Sequence, residues 1–399
     1  MFDVAIVGGG PVGACAAALL VRAGLRVVLL EPGAPAPLPA GAPLESRVVA
    51  LSRASERILT HAGAWSRMRG PRLCPYERMR IWHESVAANS AAVLVFDAAD
   101  VGEPDLGCIA ENRLLQSALL AAFADAGGVL EPAQFQALEI TDAEVRLTTS
   151  RGALAARLVV GADGAQSAVR HAAGLSATVS DYRQTAIVAT VATARPHAAT
   201  AWQRFMRDGT LAFLPLADGT SSIVWSADDE LAARLGQLSD DAFNQELDRA
   251  SDLALGATQV RSPRVSFPLR RLAAPRYVAQ RVALMGDAAH VVHPLAGQGV
   301  NLGLLDAAAL AQLLGEAAGE REDAGALGVL RTYERWRKSE VALMSSAIDA
   351  FDRWLAHGAG PLAGIAQRAL SLVNRSQELR RVFIRRALGM TGELPRAAG

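Results

Sequence analysis

A glycine-rich turn near the N-terminus constrains the fold of this chain more than any other feature. Gly8, Gly10 and Gly13 follow the apolar segment 3–7 in the spacing GxGxxG. The first glycine permits a tight turn, the second lets the backbone approach a pyrophosphate, and the third lets the next helix pack closely on the strand. We expect that helix over 11–23. A strand, a glycine turn and a helix in this order predict an α/β, Rossmann-like domain with a dinucleotide site.

An acidic residue completes this first unit. The segment 26–30 predicts a second strand, and Glu31 stands at its end, about 20 residues after the turn, where dinucleotide-binding domains carry an acid. Its carboxylate suits the ribose hydroxyls of an adenosine and repels a 2′-phosphate, so the site favours FAD or NAD over NADP. Pro11 and Val12, at the start of the helix, join the three glycines and Glu31 as candidate cofactor-binding residues. A glycine-rich turn without a ligand is the alternative.

A second nucleotide-binding segment is predicted far along the chain. The apolar run 281–285 predicts a buried strand, which ends in Gly286 and Asp287. The Asp287 carboxylate can accept hydrogen bonds from sugar hydroxyls. Gly-Gln-Gly at 297–299 then opens a helix from about Val300, and a helix start offers free N–H groups and a positive dipole. One dinucleotide held by both ends of the chain favours FAD, because a simple NAD domain would not need this distant segment.

A third segment lies between these two. Residues 159–170 predict an apolar strand, a turn at Asp163 and Gly164, and a short helix with Ser167 and Arg170 near its start. Asp163 is a candidate cofactor-binding residue. A plain surface turn is the alternative, since Asp-Gly commonly forms one.

With these three segments in this order, the chain resembles the flavoprotein aromatic hydroxylases, the single-component group typified by p-hydroxybenzoate hydroxylase. It is most similar to the ubiquinone-biosynthesis hydroxylases of the UbiH, UbiI and UbiF types, over essentially its whole length. The most specific shared stretch is His-Pro-Leu-Ala-Gly-Gln-Gly-Val-Asn-Leu-Gly at 293–303. The resemblance implies that Arg47, in Glu-Ser-Arg-Val-Val-Ala-Leu-Ser at 45–52, contacts FAD. It also implies that Arg113, in Asn-Arg-Leu-Leu at 112–115, touches the FAD diphosphate. Surface salt bridges are the alternative for both arginines.

The resemblance also implies roles for the segment around 294–301. Pro294 would shape the loop on the flavin side, and the start of the helix would stabilise negative charge on the flavin during reduction. The candidate catalytic residues are therefore Pro294, Gly297, Gln298 and Gly299. The candidate cofactor-binding residues of this segment are Gly299, Val300 and Asn301. We name no general base, because structural roles are favoured for His290 and His293.

The activity implied by the resemblance is that of an FAD-dependent monooxygenase. It would use O2 to hydroxylate the aromatic ring of a prenylated phenol in ubiquinone biosynthesis through a flavin hydroperoxide, with NAD(P)H or a protein electron donor as reductant. One alternative is a hydroxylase of another aromatic compound, from polyketide or catabolic metabolism. Another is a flavin-binding, non-catalytic subunit of a quinone-biosynthesis complex. The chain lacks a Trp-x-Trp-x-Ile-Pro motif, which disfavours a flavin halogenase.

The predicted domain organisation follows from the positions of the three segments. We expect a discontinuous FAD-binding domain over 1–70, 108–180 and 276–355, an inserted sheet-rich substrate lobe over 71–107 and 181–275, and a C-terminal helical tail over 356–399. Runs of β-branched and aromatic residues predict the strands of the lobe at 79–82, 186–191, 211–216 and 221–226. Four aromatic residues of the lobe are candidates to line a substrate pocket, with core packing as the alternative: Trp202, Phe205, Phe213 and Trp225.

Charge and composition disfavour several kinds of partner and site. Forty basic and forty acidic residues give a formal net charge of +0, so we expect no nucleic-acid partner. Three cysteines without metal spacing suit a reducing cytoplasm and predict no metal site. No leader is expected before the first strand, and no uninterrupted apolar run reaches the roughly 18 residues that span a membrane.

The C-terminal tail combines apolar and basic residues. A basic amphipathic helix can lie on an anionic membrane, so we expect a peripheral position on the inner face of the plasma membrane and contacts with quinone-biosynthesis proteins. A helix packed on the protein with a solvated arginine face is the alternative. The stretch 368–386 of the tail contains six arginines, namely Arg368, Arg375, Arg380, Arg381, Arg385 and Arg386.

Overall fold

The computed structural model describes residues 1–39, 41–293, 298–356, 378, 381, 384 and 392–399. Strands and helices alternate along the first part of the chain, and the longest helices come last. The strands are β1 Phe2–Val7, β2 Val27–Leu30, β3 Val48–Leu51, β4 Cys74–Tyr76, β5 Arg78–His83, β6 Leu94–Asp97, β7 Gly107–Glu111, β8 Val129–Glu131, β9 Phe135–Ile140, β10 Val145–Thr149, β11 Gly152–Gly161, β12 Thr178–Thr193, β13 Thr200–Met206, β14 Gly209–Pro215, β15 Ser221–Asp228, β16 Thr258–Val260, β17 Val265–Ala273, β18 Val278–Ala279, β19 Val282–Leu284 and β20 His290–Val291. The helices are α1 Pro11–Arg22, α2 Arg53–His61, α3 Trp65–Met68, α4 Asn112–Asp125, α5 Ala168–Ala172, α6 Asp229–Gln237, α7 Asp240–Ala250, α8 Gln298–Gly319 and α9 Leu327–Ala356.

An eight-stranded sheet carries the N-terminal glycine turn. Its strands follow the order β18-β19-β11-β1-β2-β8, with β10 and β9 added beside β11. β1 runs parallel to β2 and β11, and β11 runs parallel to β19. In register, Val7 lies beside Leu30 on one side and Gly161 on the other, and Gly161 lies beside Leu284. The turns that follow these four residues therefore meet at one edge of the sheet, where open α/β sheets bind their ligands.

Small residues bring helices α1 and α8 close together above this edge. A Cβ atom on Gly13 would overlap the carbonyl oxygen of Gly8, and one on Gly303 would overlap the side chain of Val12. Residues 14–18 of α1 are fully buried. The close packing expected from the third glycine is therefore present, and the helix spans the residues predicted for it apart from one at its end.

A nine-stranded sheet forms the inserted lobe. Its strands follow the order β20-β17-β12-β15-β14-β13-β5-β6, with β16 beside β12. The pairings are antiparallel, except that β13 runs parallel to β5. One face packs against α6 and α7 through a core that includes Trp225 and Phe243, and the opposite face is turned toward the end of the first sheet. The predicted fold class, an α/β Rossmann-like domain with an inserted sheet-rich lobe and a helical C-terminal region, is confirmed.

Two short strands cross the predicted domain boundaries, and the division into domains stays a prediction. β4, placed in the lobe by sequence, pairs with β7 in a three-stranded sheet that also contains β3. β20, placed in the FAD-binding domain, pairs with β17 of the lobe. At Gly286 the backbone has φ of +55°, and the chain passes from β19 to β20 within a few residues.

Helix α8 is central to the packing of the molecule. By length and composition alone, the segment Gly299–Gly319 is apolar enough to cross a membrane, but 61% of its apolar window is buried inside the protein. It contacts α1, α2 and α9. These contacts are those of a core helix.

The predicted tail contacts the protein at the few positions that are described. Ile384 is 1% exposed and packs with Ala98 and Leu106 of the lobe, and Arg381 donates from Nε to the carbonyl oxygen of Asp100 at 2.8 Å. Further on, the Arg396 guanidinium lies 2.9 Å from Glu316 on α8. Of the six arginines in 368–386, only Arg381 is described, and Arg368, Arg375, Arg380, Arg385 and Arg386 lie outside the described residues.

Candidate cofactor and substrate site

A groove of about 660 Å³ runs along the carboxyl edge of the eight-stranded sheet. All three nucleotide-binding segments predicted from the sequence contribute to its walls. The predicted cofactor residues that line it are Gly8, Gly10, Pro11, Val12, Glu31, Arg47, Asp163, Asp287, Gly299 and Val300. The groove therefore unites residues from both ends and the middle of the chain.

The glycine turn shapes the floor of this groove. Gly8 has φ of +102°, and a Cβ atom there would overlap the backbone of Ala162, so only glycine fits. A Cβ atom on Gly10 would meet no protein atom within 4 Å. The backbone of Gly10 is thus open toward the groove, as close approach of a pyrophosphate requires. This geometry fits FAD.

Glu31 stabilises the turn and also faces the groove. Its Oε2 accepts a hydrogen bond from the Gly9 N–H at 2.7 Å, and its Oε1 accepts one from the Gly33 N–H at 2.9 Å. A carboxylate has about four acceptor positions, so both oxygens keep capacity for ribose hydroxyls. The residue can hold the adenosine while fixing the loop around it.

Asp163 organises the middle segment. Its Oδ1 accepts a hydrogen bond from the Ser167 hydroxyl at 2.5 Å, and its Oδ2 accepts one from the Val169 N–H at 3.0 Å. The buried guanidinium of Arg170 donates to the carbonyl oxygens of Ala165 and Ala288, each at 2.8 Å. Arg170 therefore joins the turn at Asp163 to the turn after β19, and together they form one wall.

The groove meets a second cavity, of about 330 Å³, on the lobe side. The residues that line both spaces are Arg47, Asn112, Asp287, Gly299 and Val300. Asp287 exposes its carboxylate to these spaces, and poor access to water raises its pKa, while His290 and Arg47 oppose the shift. The shared residues would hold the flavin portion of an FAD molecule whose nucleotide portion lay in the groove.

Asn112, the first residue of α4, is a site residue that the sequence reasoning missed. Its side-chain oxygen is buried without a hydrogen-bond partner among the described residues, and it lines both cavities. A buried acceptor without a hydrogen bond lowers the free energy of unfolding, and a ligand that donates a hydrogen bond to it would offset that cost. The signal in the sequence was a polar residue at the predicted start of a helix.

Arg113, the neighbouring residue chosen from the resemblance, lies outside the groove lining. It donates from Nε to the carbonyl oxygen of Ala36 at 2.9 Å and pairs with Glu45 at 3.4 Å. In the structure it fastens the loop that precedes β3, and its contact with FAD stays a prediction.

Asn301 is buried beneath the junction and positions the start of α8. Its Oδ1 accepts hydrogen bonds from the Ser52 N–H at 3.0 Å and the Ser55 hydroxyl at 2.7 Å, and its Nδ2 donates to the Ala50 carbonyl at 2.8 Å. Its cofactor contact stays a prediction. Gln298 is the first residue of α8, and Pro294 and Gly297 lie outside the described residues.

A buried charge network supports the junction from below. Asp306 on α8 accepts hydrogen bonds from His290 Nε2 at 2.6 Å, Arg337 Nε at 2.7 Å and the Gly286 N–H at 3.0 Å. Burial alone would raise the pKa of Asp306, but His290 and Arg337 lower it to about 2. His290 thus has the structural role favoured from the sequence. His293, also buried, contacts Gln184 at 3.1 Å.

The second cavity is lined mainly by small and apolar residues. Thr210, Ala212 and Leu214 of β14 and Ser222, Val224 and Ser226 of β15 turn toward it. The alternate residues of these strands face the opposite side. Phe213 and Trp225 pack there in the core with α7, and Trp202 packs edge-on against Trp82. Core packing, the stated alternative for these aromatic residues, is what the structure shows. Phe205 is buried and is not among the lining residues either.

The fold and the paired cavities are those of an FAD-binding protein, and residues 1–346 match the FAD binding domain family. The crystal structure of PqsL from Pseudomonas aeruginosa, solved with 2-aminobenzoylacetate, superposes with a TM-score of 0.75 and 26% identity. The match covers 94% of this chain and 99% of that chain.

Two relatives match nearly the whole chain. Ubiquinone hydroxylase UbiL of Rhodospirillum rubrum is 38% identical over 390 residues, which cover 97% of this chain and 89% of the relative. The 3-demethoxyubiquinol 3-hydroxylase of Escherichia coli is 35% identical over 402 residues, which cover 97% and 98%. The chain therefore belongs to the family of FAD-dependent hydroxylases of ubiquinone biosynthesis. It is an FAD-dependent monooxygenase, as the resemblance implied.

Proposed function

We propose that this monooxygenase hydroxylates the aromatic ring of a prenylated phenol in ubiquinone biosynthesis. The observation that carries the proposal is the junction of the two cavities at Arg47, Asn112, Asp287, Gly299 and Val300. A groove for a dinucleotide opens there into a separate, mostly apolar space of a size suited to a ring.

FAD bound across this junction supplies the redox chemistry, by which O2 and two electrons convert a ring C–H into C–OH and release water. The chain itself binds and orients the cofactor and the substrate, and it excludes water. Gly10 and Glu31 hold the nucleotide end, and the start of α8 at Gly299 presents backbone N–H groups and a positive dipole to the junction. Val224 and Val300 keep water away from the ring.

The chemistry does not require a general base from the protein. A phenol carries its own activating oxygen, and the two histidines of the predicted loop are both committed. His290 bonds to Asp306 and His293 contacts Gln184, each with a buried side chain. The substrate oxygen, placed near the junction, activates the ring.

The decisive experiment follows labelled oxygen into the product. FAD-loaded protein, a prenylated phenol, a chemical or enzymatic reductant and ¹⁸O₂ should yield a product with one ¹⁸O atom on the ring, identified by mass spectrometry. Turnover of polyketide or catabolic phenols in preference to prenylated ones would move the function to another aromatic hydroxylase. Reoxidation of flavin without any ring product, across all these phenols, would favour a non-catalytic flavin subunit.

The reductant is a separate proposal. We expect NAD(P)H to bind transiently or a protein donor to deliver electrons, and the lack of a second GxGxxG unit in the sequence favours neither. Stopped-flow reduction of the flavin by NADH and NADPH distinguishes the two. Rapid reduction by either nucleotide supports direct use, and slow reduction by both indicates a protein donor.

The cellular location is also proposed here. A prenylated substrate resides in lipid, and we propose that the cytoplasmic protein binds the inner face of the plasma membrane through its arginine-rich tail, beside other quinone-biosynthesis proteins. Part of the apolar side of the tail is already used, because Ile384 is buried against the lobe. Wild type should sediment with anionic vesicles at low salt, and a variant with Gln at 380, 381, 385 and 386 should sediment less. Equal binding by both would reject the tail as the membrane contact.

A further inference from the structure

Three neutral polar side chains line the sheet wall of the second cavity without using their hydrogen-bonding groups. Gln203 is 4% exposed, Ser226 is 4% exposed and Thr210 is 5% exposed. All three line the cavity, and their side chains make no hydrogen bond to the described residues. Since the three residues line the cavity, their hydrogen-bonding groups are open to whatever occupies it. They are therefore placed to meet a ligand.

The three side chains form one patch. Thr210 and Ser226 are directly opposite each other across the β14–β15 pair. Gln203 lies opposite Ala212 on the neighbouring β13–β14 pair, which places it diagonally next to Thr210. Opposite residues in such a pair are about 5 Å apart and diagonal ones about 7–8 Å apart. We call Gln203, Thr210 and Ser226 the polar patch, and it is about as wide as a substituted benzene ring.

Around the polar patch the wall is apolar. Its neighbours Val188, Ala212 and Val224 offer no hydrogen bond from their side chains, and the hydroxyl of Ser222 already donates to the carbonyl oxygen of Ser46 at 3.1 Å. The patch is therefore the part of the sheet wall that can distinguish one ring substituent from another.

The patch also carries no charge. Among the described residues, those of the nine-stranded sheet that line the cavity are all uncharged. The charged lining residues Arg47 and Asp287 lie instead at the junction with the nucleotide groove. A carboxylate placed against this wall would leave water without gaining a cation, which is strongly unfavourable. Neutral hydroxyl and ether oxygens would find an amide and two hydroxyls in its place.

We propose that Gln203, Thr210 and Ser226 determine substrate specificity by recognising neutral oxygen substituents on the ring. The preferred substrate is then a phenol with a further neutral oxygen substituent and no ring carboxylate. This inference rests on the proposed function and deepens it, because it selects among phenols that could enter the cavity.

The test uses FAD-loaded protein and isothermal titration calorimetry with two probes. One probe is 2-methoxyphenol carrying a dimethylallyl group, and the other is the same ring with an added carboxylate. Wild type should bind the neutral probe at least about tenfold more tightly than the carboxylated one. Gln203→Met, which keeps the length of the side chain but not its amide, should weaken binding of the neutral probe about tenfold.

The thermal midpoint separates recognition from a structural role. If Gln203 serves a ligand, Gln203→Met should keep the melting temperature of the protein without phenol, because the amide faces the cavity and makes no hydrogen bond to the described residues. A lower melting temperature with unchanged affinity for the neutral probe would overturn the proposal.

A matched pair on one strand supplies the control. Ser226→Ala removes a hydroxyl from the cavity face of β15 and should weaken binding of the neutral probe and lower the ratio of hydroxylated product to O2 consumed. Ser221→Ala removes a hydroxyl from the opposite face of the same strand and should change neither. Equal effects of the two variants, or equal affinity of wild type for both probes, would overturn the inference. Labelled product from wild type would still support the proposed function in that case.

Discussion

The nucleotide groove and the second cavity, which we propose as the substrate cavity, are built in different ways. The groove is made largely from backbone at the ends of parallel strands, where Gly8 permits a tight turn against Ala162 and Gly10 leaves room for a ligand. The cavity is made from side chains that alternate along antiparallel strands, as Val224 and Trp225 do on β15. A backbone site is fixed by short sequence motifs, whereas a side-chain site can change its lining one residue at a time.

This difference assigns distinct functions to the two regions. The groove has one task, which is to hold a common cofactor, and its residues are constrained by the close packing of α1, α8 and the first sheet. The cavity lies on a sheet whose opposite face holds the core of the lobe, so its lining can vary while the core stays the same. Cofactor binding and substrate choice are thereby separated, and they meet only at the junction.

The largest effect is expected beneath the junction, where both regions depend on Asp306. Asp306→Asn leaves the buried Arg337 without its carboxylate, and breaking a buried pair in this way costs about 3–5 kcal/mol of unfolding free energy. Urea denaturation at neutral pH measures it. A loss below about 1 kcal/mol would mean that the pair behaves like an exposed one.

The contribution of Asp306 to the unfolding free energy of wild type depends on pH, and the Asp306→Asn variant should lack this dependence. The folded-state pKa of Asp306, about 2, lies below the ordinary value of 3.8, so its stabilisation is fully present above about pH 4 and is lost as the pH falls toward 2. That contribution amounts to about 2 kcal/mol. Wild type should therefore lose more unfolding free energy than Asp306→Asn between pH 5 and pH 2, as followed by urea denaturation across this range. Parallel curves would contradict the assignment.

The next effect separates packing from ligand contact within the groove. Gly13→Ala forces a Cβ atom onto the carbonyl oxygen of Gly8, and overpacking of this kind costs about 1–3 kcal/mol and should also reduce bound FAD. Gly10→Ala places its Cβ atom in open space, so it should leave the melting temperature of the apoprotein unchanged and reduce only FAD binding. Calorimetry of the apoprotein and FAD content after gel filtration test the pair. A similar melting temperature for both variants would remove the distinction.

At the junction, Asp287→Ala should weaken FAD retention by about 1.5–3 kcal/mol, the range for a hydrogen bond to a charged group. Fluorescence of released FAD on dilution gives the dissociation constant. Wild-type affinity in this variant would mean that the carboxylate, although it lines both cavities, does not contact the cofactor.

The smallest effect concerns the two faces of β15. Trp225→Phe alters the far face and should cost about 1–2 kcal/mol of stability without changing the affinity for a phenol. Val224→Leu adds a methylene to the cavity and should change that affinity while stability stays within about 0.5 kcal/mol. Binding titrations and thermal melts of both variants complete the comparison. An altered phenol affinity in Trp225→Phe would show that the two faces are coupled.

The contrast between the regions also explains what could be predicted from the sequence. Gly8, Glu31 and Asp287 were assigned to a cofactor site because each stands at the end of an apolar strand within a short motif, and the structure places all three in the groove. Four lobe strands were predicted, and they overlap β5, β12, β14 and β15, whereas β13 and β17 were not predicted. The face that each residue occupies was not predicted either. Because both faces of β15 are buried, the alternation of polar and apolar residues does not show which face lines the cavity. The sequence therefore could not show whether Trp225 or Ser226 faces the cavity.

Residues that act across long separations were the hardest to predict. In the stretch 112–115, Arg113 was chosen from the resemblance to the hydroxylase family, and Asn112 beside it was not considered. Arg170 reaches Ala288, and Asp306 reaches Arg337, only once the sheets have formed. No local pattern specifies such partners, since they depend on how the separate segments pack together.

The cofactor groove and the second cavity share a junction, and we expect the substrate ring and the flavin to meet there. Titration of the FAD-loaded protein with a neutral phenol, followed by the visible absorbance of the flavin, tests it directly. A substrate ring stacked near the flavin should change the flavin spectrum saturably, with the dissociation constant obtained by calorimetry. Calorimetric binding of the phenol with an unchanged flavin spectrum would place the phenol elsewhere and contradict the account.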